Sequence, residues 1–112
     1  MNETQLAEYR ARLEARLIEL ADEASRGDAG QKTVELDQQA VGRLSRMDAL
    51  QNQAMAKAQG ARREGEVRRV RAALHRIESG EFGYCTDCGE DIGEARLTVD
   101  PTLPRCLSCT RG

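Results

Sequence analysis

The fold is decided near the end of the chain by two cysteine pairs, which read Cys85-Thr86-Asp87-Cys88 and, seventeen residues further on, Cys106-Leu107-Ser108-Cys109. The spacing is typical of tetrathiolate zinc sites, because a two-residue gap lets one tight turn present two thiolates to a tetrahedral ion. The sequence therefore predicts one structural zinc ion with Cys85, Cys88, Cys106 and Cys109 as its ligands. Four thiolates leave no open position for an activated water, so we expect a protein that is not an enzyme.

Two other uses of the cysteines are less favoured. A disulfide framework requires an oxidising compartment, and the first residues of the chain, Met1 to Gln5, carry neither the basic region nor the apolar run of a signal peptide. A thioredoxin-like redox pair belongs to a βαβ context, which the sequence does not supply. No apolar run approaches membrane-spanning length, so we expect a cytoplasmic protein without a membrane contact.

The composition favours long solvated helices over a thick globular core. Of the 112 residues, 32% are charged and only 3% are aromatic, a balance that suits an extended helical protein. The expected class is all-α with a small zinc finger.

Apolar periodicity predicts two long helices. The first runs from Asn2 to about Ser25, and its apolar stripe comprises Leu6, Tyr9, Leu13, Leu17, Leu20 and Ala24. Turn-forming residues at 27–31 then predict a chain reversal. The second helix runs from about Val34 to Glu78, with a stripe of Leu36, Ala40, Leu44, Met47, Gln51, Ala54, Ala58, Ala61, Val67, Val70, Leu74 and Ile77.

These two helices predict an antiparallel two-helix coiled-coil hairpin over residues 1–79, with its tip at about 26–37, followed by a four-cysteine zinc finger over 80–112. The hairpin would pair residues 2–26 with roughly 36–62. The finger offers only six apolar core candidates, namely Phe82, Tyr84, Ile92, Leu97, Val99 and Leu103. So few apolar groups do not offset the entropy of ordering the finger, so zinc must supply the remaining stabilisation.

Charge is unevenly distributed along the chain. Residues 61–78 hold six arginines and three acids, whereas residues 79–112 hold three arginines and six acids. Arg62, Arg69 and Arg76 recur at seven-residue spacing and so share one helix face. This basic band is either a solvated face that pairs with the acidic finger or a site for a partner or an anion.

The finger sequence resembles the DksA/TraR family of bacterial zinc-finger regulators of transcription. The resemblance covers residues 80–109 and rests on Gly80-Glu81-Phe82-Gly83-Tyr84-Cys85, on Cys88-Gly89, on Ile92-Gly93 and on Arg96-Leu97. It implies a protein that binds RNA polymerase rather than DNA and inserts its hairpin into the secondary channel. There, acidic residues at the hairpin tip approach the active centre and alter the stability of promoter complexes, often together with guanosine tetraphosphate.

Carried over residue by residue, the resemblance makes Asp28 and Asp37 the candidate tip carboxylates. Neither reproduces the family's Asp-x-x-Asp-x-Ala motif, and Asp37, expected at the start of the second helix, is the better candidate. Matching by distance to the cysteines gives Arg62, Arg69 and Arg96 as the basic residues that face the polymerase or the nucleotide. Guanosine tetraphosphate is a doubtful partner, because Asp100 and Thr110 stand where the family can carry basic residues.

Two other functions stay open from the sequence alone. One is a zinc finger that binds nucleic acid, against which the acidic finger argues because phosphate binding depends on lysine and arginine. The other is a coiled-coil adaptor that dimerises through its apolar stripe, although we expect a monomer. Sequence-specific DNA binding is not expected.

Overall fold

The computed structural model describes the backbone of residues 1–37 and 43–111 and the side chains of residues 1–27 and 46–111. Its helices are α1 (Glu3–Asp37), α2 (Arg43–Ser79), α3 (Glu94–Val99) and α4 (Leu107–Arg111). The described residues contain no strand, only one isolated antiparallel bridge between Tyr84 and Asp91. Two long helices followed by a small cysteine-bearing finger confirm the predicted fold class. Within this part of the chain, no helix has the length and apolarity needed to cross a bilayer.

A reciprocal side-chain cap starts α1. The Gln5 amide donates to Asn2 Oδ1 over 2.8 Å, and the Asn2 amide donates to Gln5 Oε1 over 3.0 Å. These two bonds satisfy amide groups that have no partner within the first helical turn. The helix therefore begins close to the position that the sequence predicts.

The predicted chain reversal at 27–31 is wrong, because α1 continues through these residues to Asp37. Each glycine in a helix costs about 1 kcal/mol, but Gly27 stands where the side chain of Arg63 approaches α1. A Cβ at Gly27 would lie 2.6 Å from Nη2 of Arg63, so the glycine leaves room for the arginine side chain of α2. At Gly27, therefore, the glycine belongs to a helix that passes close to the Arg63 side chain and not to a turn.

The predicted pairing of residues 2–26 with 36–62 is also wrong. Gly27 lies beside Arg63, whereas the predicted pairing places residue 26 near residue 36. The error follows from the misplaced reversal, because α1 extends about twelve residues beyond Ser25 and shifts its partner segment towards the C-terminus of α2.

The chain forms two compact units. One contains Met1–Leu17 and Val67–Gly112, and the other contains Ile18–Glu66. The first unit holds most of the buried apolar side chains of the described residues, which are Tyr9, Leu13, Val70, Ala73, Ile77, Phe82, Cys85, Ile92 and Leu97. The finger therefore shares its core with the beginning of α1 and the end of α2.

The residues of the stripe predicted for α1 are buried or half-buried from Leu6 to Leu20, whereas Ala24, the last of them, is exposed. The stripe predicted for α2 is confirmed from Val67 to Ile77. Between 47 and 61 it is wrong, because Met47, Gln51, Ala54, Ala58 and Ala61 are all exposed. The residues of this stretch that turn inward are small or polar, namely Ala49, Gln53, Ala56 and Gly60. The helix phase is fixed by packing rather than by the larger apolar side chains.

Within the finger, Phe82, Ile92 and Leu97 are buried as predicted. Tyr84 and Val99 are not core residues, because their side chains are 52% and 85% exposed. The beginning of α1 supplies part of the core that the sequence pattern predicted from finger residues alone, because the ring of Tyr9 packs against the ring of Phe82.

Candidate metal centre

The finger begins directly after a hydrogen-bonded C-terminal cap of α2. Gly80 adopts φ +80°, its amide donates to the carbonyl of Ile77, and the amide of Glu81 donates to the carbonyl of Arg76 over 2.9 Å. This is the Schellman arrangement, in which a left-handed glycine lets the last carbonyls of a helix find partners. The cap turns the chain directly into Phe82, the first buried residue of the finger.

The first cysteine pair sits in a tight loop. Its base is closed by the amide of Cys85, which donates to the carbonyl of Glu90 over 2.7 Å, and by the amide of Ile92, which donates to the carbonyl of Gly83. Gly89, directly after Cys88, adopts φ +77° and donates to the carbonyl of Cys85. A residue with a Cβ is strained at this φ, so glycine lets the loop turn sharply enough to present both sulfurs on one side.

The second pair is carried by Cys106, just before α4, and by Cys109 within it. The amide of Thr110 donates to the carbonyl of Cys106 over 3.0 Å, which forms the helical turn between the two cysteines. The amide of Thr86 donates to the carbonyl of Pro104 over 2.9 Å and joins the two loops by a backbone bond.

The four sulfur atoms converge on one point. Those of Cys85, Cys88, Cys106 and Cys109 all lie within 4.8 Å of one another, and Sγ of Cys88 and Sγ of Cys106 are 3.6 Å apart. Four sulfurs at about 2.3 Å from a tetrahedral zinc ion are about 3.8 Å apart. The cluster fits one zinc ion, and its soft ligands match that metal. His75 is exposed and is not part of this cluster.

Without metal, the thiols differ strongly in acidity. Burial raises the pKa of the Cys85 thiol, but backbone amides of Cys106, Cys88 and Asp87 donate to its sulfur and together lower the pKa to about 6. The backbone amide of Glu90 lowers the pKa of Cys88, but this effect is outweighed by the Cys106 thiol, burial and the Cys85 thiol, so the net pKa is raised. Hydrogen bonds with the thiols of Cys106, Cys85 and Cys88 raise the pKa of Cys109. The cluster therefore holds one preformed thiolate and retains protons on other sulfurs, which a metal ion must displace.

Two half-buried arginines support the cluster from outside, a role that no pattern in the sequence indicated. Nη2 of Arg96 donates to the carbonyl of Arg105 over 3.3 Å, one residue before Cys106. Nη2 of Arg76 donates to the carbonyl of Thr102 over 3.4 Å. Burial lowers the pKa of Arg76, and the negative charge of Glu81 partly restores it. Both side chains therefore hydrogen-bond the backbone of the segment that precedes the second cysteine pair.

The remaining predicted site residues are not brought into the metal cluster. Arg62 and Arg69 are exposed on α2, whereas Arg96 is half-buried in the finger. Arg62 belongs to one compact unit, and Arg69 and Arg96 belong to the other. Their shared role in facing the polymerase or the nucleotide stays a prediction.

The side chains of the predicted tip residues Asp28 and Asp37 lie outside the described residues. The backbone places Asp37 at the end of α1, not at the start of the second helix as predicted.

Comparison with known proteins gives matches over the finger and over the whole chain. Residues 80–112 match the model of the prokaryotic dksA/traR C4-type zinc finger. The chain is 30% identical over 112 residues to the RNA polymerase-binding transcription factor DksA of Escherichia coli K12, covering 97% of this chain and 71% of the relative. It is 29% identical to the protein of the same name from Salmonella typhimurium, with the same coverage.

The fold is also similar to that of a solved structure. The transcription factor DksA2 from Pseudomonas aeruginosa superposes with a TM-score of 0.86 at 21% identity, covering 98% of this chain and 83% of that one. This likeness extends over both long helices and the finger, because it includes nearly all of the chain.

Proposed function

Because the chain belongs to the DksA/TraR family of zinc-finger transcription factors, we propose that it regulates transcription by binding RNA polymerase directly. The observation that carries this proposal is the extent of the similarity. The Escherichia coli relative, named as an RNA polymerase-binding factor, is similar over 97% of this chain. The likeness therefore includes the two long helices and is not confined to the finger.

The charges of the finger support a protein partner over a nucleic acid. Residues 79–112 hold six acids against three arginines, and phosphate binding depends on an excess of cations. Two of the three arginines near the cysteines are already engaged, since Arg96 donates to a carbonyl and Arg105 lies 3.8 Å from Asp87. The finger offers a DNA backbone little free positive charge.

In this proposal the zinc centre is structural. Cys85, Cys88, Cys106 and Cys109 would hold the ion, which when bound supplies cross-links between the two loops and no reactive water. In the same unit, the buried ring of Phe82 lies against the ring of Tyr9 on α1, so an ordered finger also fixes the beginning of α1.

The two long helices are proposed to enter the secondary channel of the polymerase with their tip leading. α1 ends at Asp37 and α2 begins at Arg43, so Asp37 stands at the tip end of its helix. Asp28 lies nine residues earlier, about 13 Å back along the helix axis. We therefore assign Asp37, rather than Asp28, as the carboxylate that approaches the active centre.

A binding experiment with purified components tests the function. The zinc-loaded chain, labelled at its C-terminus, is titrated with bacterial RNA polymerase core enzyme and, separately, with promoter DNA alone. We expect saturable binding to the enzyme, competed by a structurally characterised DksA, and no binding to DNA. Binding to free DNA without binding to the enzyme would favour the zinc-finger nucleic-acid reader instead.

A further inference from the structure

The outward face of α2 between residues 47 and 61 has an unusual composition for a solvated helix. Its side chains at Met47 and Leu50 are 58% and 57% exposed. Gln51, Ala54, Ala58 and Ala61 are exposed as well. At about 100° per residue, these six positions fall within a sector of about 100°. We call this sector the outer stripe, and no charged residue lies within it.

The outer stripe is not the face that packs in the hairpin. The inward residues of the same stretch are Ala49, Gln53, Ala56 and Gly60, which lie on the opposite side of the helix by the same count of about 100° per residue. The helix therefore has two uncharged faces here. A helix that is solvated on one side normally places charged residues there. The absence of charge from the outer stripe therefore indicates a surface that a binding partner covers.

Cations border the outer stripe on both sides. Lys57 stands next to one edge and Arg62 next to the other, and both are exposed. No acidic residue occurs from Ala49 to Arg63. A partner that complements this surface would have an apolar strip with carboxylates along both borders. The outer stripe is about 21 Å long, which corresponds to about four turns of helix.

We propose that the outer stripe is a docking surface for an amphipathic helix of RNA polymerase whose apolar side is bordered by Asp and Glu. This inference rests on the proposed function and names the surface through which the hairpin is held. Met47 and Leu50 supply the apolar contact, and the alanines let the partner helix approach closely. Lys57 and Arg62 select an acidic partner, because opposite charges across an interface steer association and disfavour wrong partners.

A second copy of the chain is a poorer occupant of this surface. Residues 46–63 contain four basic residues, Arg46, Lys57, Arg62 and Arg63, and one acid, Asp48. Two copies would bring these like net charges together. An acidic helix instead neutralises them.

The test compares two pairs of substitutions in the full zinc-loaded chain. Met47→Gln with Leu50→Gln removes the apolar contact, and we expect its Kd for RNA polymerase core enzyme to rise by about tenfold or more. Lys57→Glu with Arg62→Glu reverses the border charges, so we expect slower association and a smaller dependence of Kd on salt. Both pairs change exposed residues, and thermal unfolding should stay close to that of the unsubstituted chain.

The matched control is Ile18→Gln. Ile18 is 72% exposed on α1, in the same compact unit, so the substitution removes exposed apolar surface outside the outer stripe. We expect no more than about a twofold change in Kd. An equal loss in the control and in the Met47/Leu50 pair would overturn the inference, because exposed apolar surface in general would then explain the binding.

Failure of the inference differs from failure of the proposed function. If the unsubstituted chain binds the enzyme and the Met47/Leu50 pair binds it equally well, the docking surface is refuted while the function stands. If the unsubstituted chain does not bind the enzyme, the function itself is refuted and the stripe loses its proposed partner. Sedimentation that showed a dimer dissociated by the Met47/Leu50 pair, with unchanged affinity for the enzyme, would assign the stripe to self-association and overturn the inference.

Discussion

The ring of Tyr9 on α1 lies against the ring of Phe82 in the finger, with centroids 5.3 Å apart and planes inclined by 49°. The two residues are 73 positions apart in the sequence, and both side chains are buried, at 8% and 4% exposure. Tyr9 Oη is also 3.5 Å from Oγ1 of Thr98. This contact joins the first turns of the chain to the zinc finger.

Removal of either ring should destabilise the whole first unit. We expect Tyr9→Ala and Phe82→Ala each to lower the free energy of unfolding by about 3 kcal/mol, because each leaves a cavity in a packed core. The double variant should lose about 1 kcal/mol less stability than the two single variants together, because each single variant already removes the contact between the two rings. Chemical denaturation in saturating zinc measures these values.

Ile18→Ala is the control for this cycle, since Ile18 is exposed and its loss should change stability by less than about 0.5 kcal/mol. Strict additivity of Tyr9→Ala and Phe82→Ala would mean that the ring contact contributes nothing beyond burial.

Loss of one cysteine should abolish metal binding. We expect Cys88→Ser to lower the zinc content from one ion per chain to none, because three thiolates and a hydroxyl no longer offer the donor set that zinc prefers. The finger should lose its ordered amide resonances, since its own apolar core is too small to fold without metal. Ser108→Ala, an exposed change between Cys106 and Cys109, should leave zinc content and spectrum unchanged.

The same experiment decides how independent the long helices are of the finger. Much of their helical circular dichroism should remain after Cys88→Ser, because α1 comprises 35 residues and α2 comprises 37. A dispersed finger spectrum in metal-free protein would contradict the structural role of zinc.

Zinc affinity should fall steeply as the pH is lowered. In the metal-free cluster the pKa of Cys85 is about 6, whereas the pKa values of Cys88 and Cys109 are raised above the ordinary thiol value. At pH 7 zinc must therefore displace at least the protons of Cys88 and Cys109, while Cys85 is already a thiolate. The metal-bound state holds fewer protons, so acid opposes binding.

The slope of this dependence is the measurable quantity. Displacement of at least two protons corresponds to a decrease of at least about 100-fold in zinc affinity per pH unit near pH 7, and the decrease becomes steeper below pH 6 as Cys85 also becomes protonated. Competition with a chelator of known zinc affinity, from about pH 6 to 8, gives the slope. A slope of about one proton or less would show that the thiols are ionised before the metal arrives.

At the tip, Asp37→Asn should impair regulation while leaving the affinity for polymerase within about twofold of the original value. The substitution keeps the shape of the side chain and removes only the charge proposed to meet the active centre. Promoter-complex lifetime in a purified transcription system measures regulation, and a labelled-chain titration measures affinity.

Asp28→Asn is the control for this prediction, because Asp28 is within α1 rather than at its end. If regulation survives Asp37→Asn but is lost with Asp28→Asn, the assignment of the carboxylate is wrong. Survival in both variants would remove the tip mechanism altogether.

Guanosine tetraphosphate should have little effect on the action of this protein. Asp100 stands where the family can carry a basic residue, and its carboxylate accepts from the amide and hydroxyl of Thr102 over 2.9 and 2.7 Å. An aspartate in place of an arginine changes the local charge by two units and repels a polyphosphate. Thr110, at the other departing position, donates its hydroxyl to the carbonyl of Cys106.

A purified transcription assay with and without the nucleotide checks this prediction. Strong potentiation that is lost on Arg69→Ala would overturn it, because Arg69 is one of the two exposed arginines on α2 that the family resemblance places near the nucleotide. Asp100→Asn is the matched variant: it retains an acceptor for Thr102 and removes the repelling charge, so any gain in response isolates the electrostatic effect.

The metal centre could be predicted from the sequence because its determinants are local. Two Cys-x2-Cys pairs and Gly89 define loops that turn in the same way wherever they occur, since a two-residue gap and a left-handed glycine constrain the backbone directly. The Gly80 cap of α2 is likewise encoded within a few residues. The apolar stripe of α1 from Leu6 to Leu20 follows from helix periodicity alone.

Only the tertiary structure decided the helix register and the inward face of α2. Gly27 resembles a turn former in the sequence, but within the fold it makes room for Arg63, a residue 36 positions away. Met47 is larger and more apolar than Ala49, yet Ala49 is buried and Met47 is exposed. Periodicity alone does not choose between two uncharged faces of one helix, because burial depends on how closely the neighbouring backbone approaches, and that distance is set by residues far away in the chain.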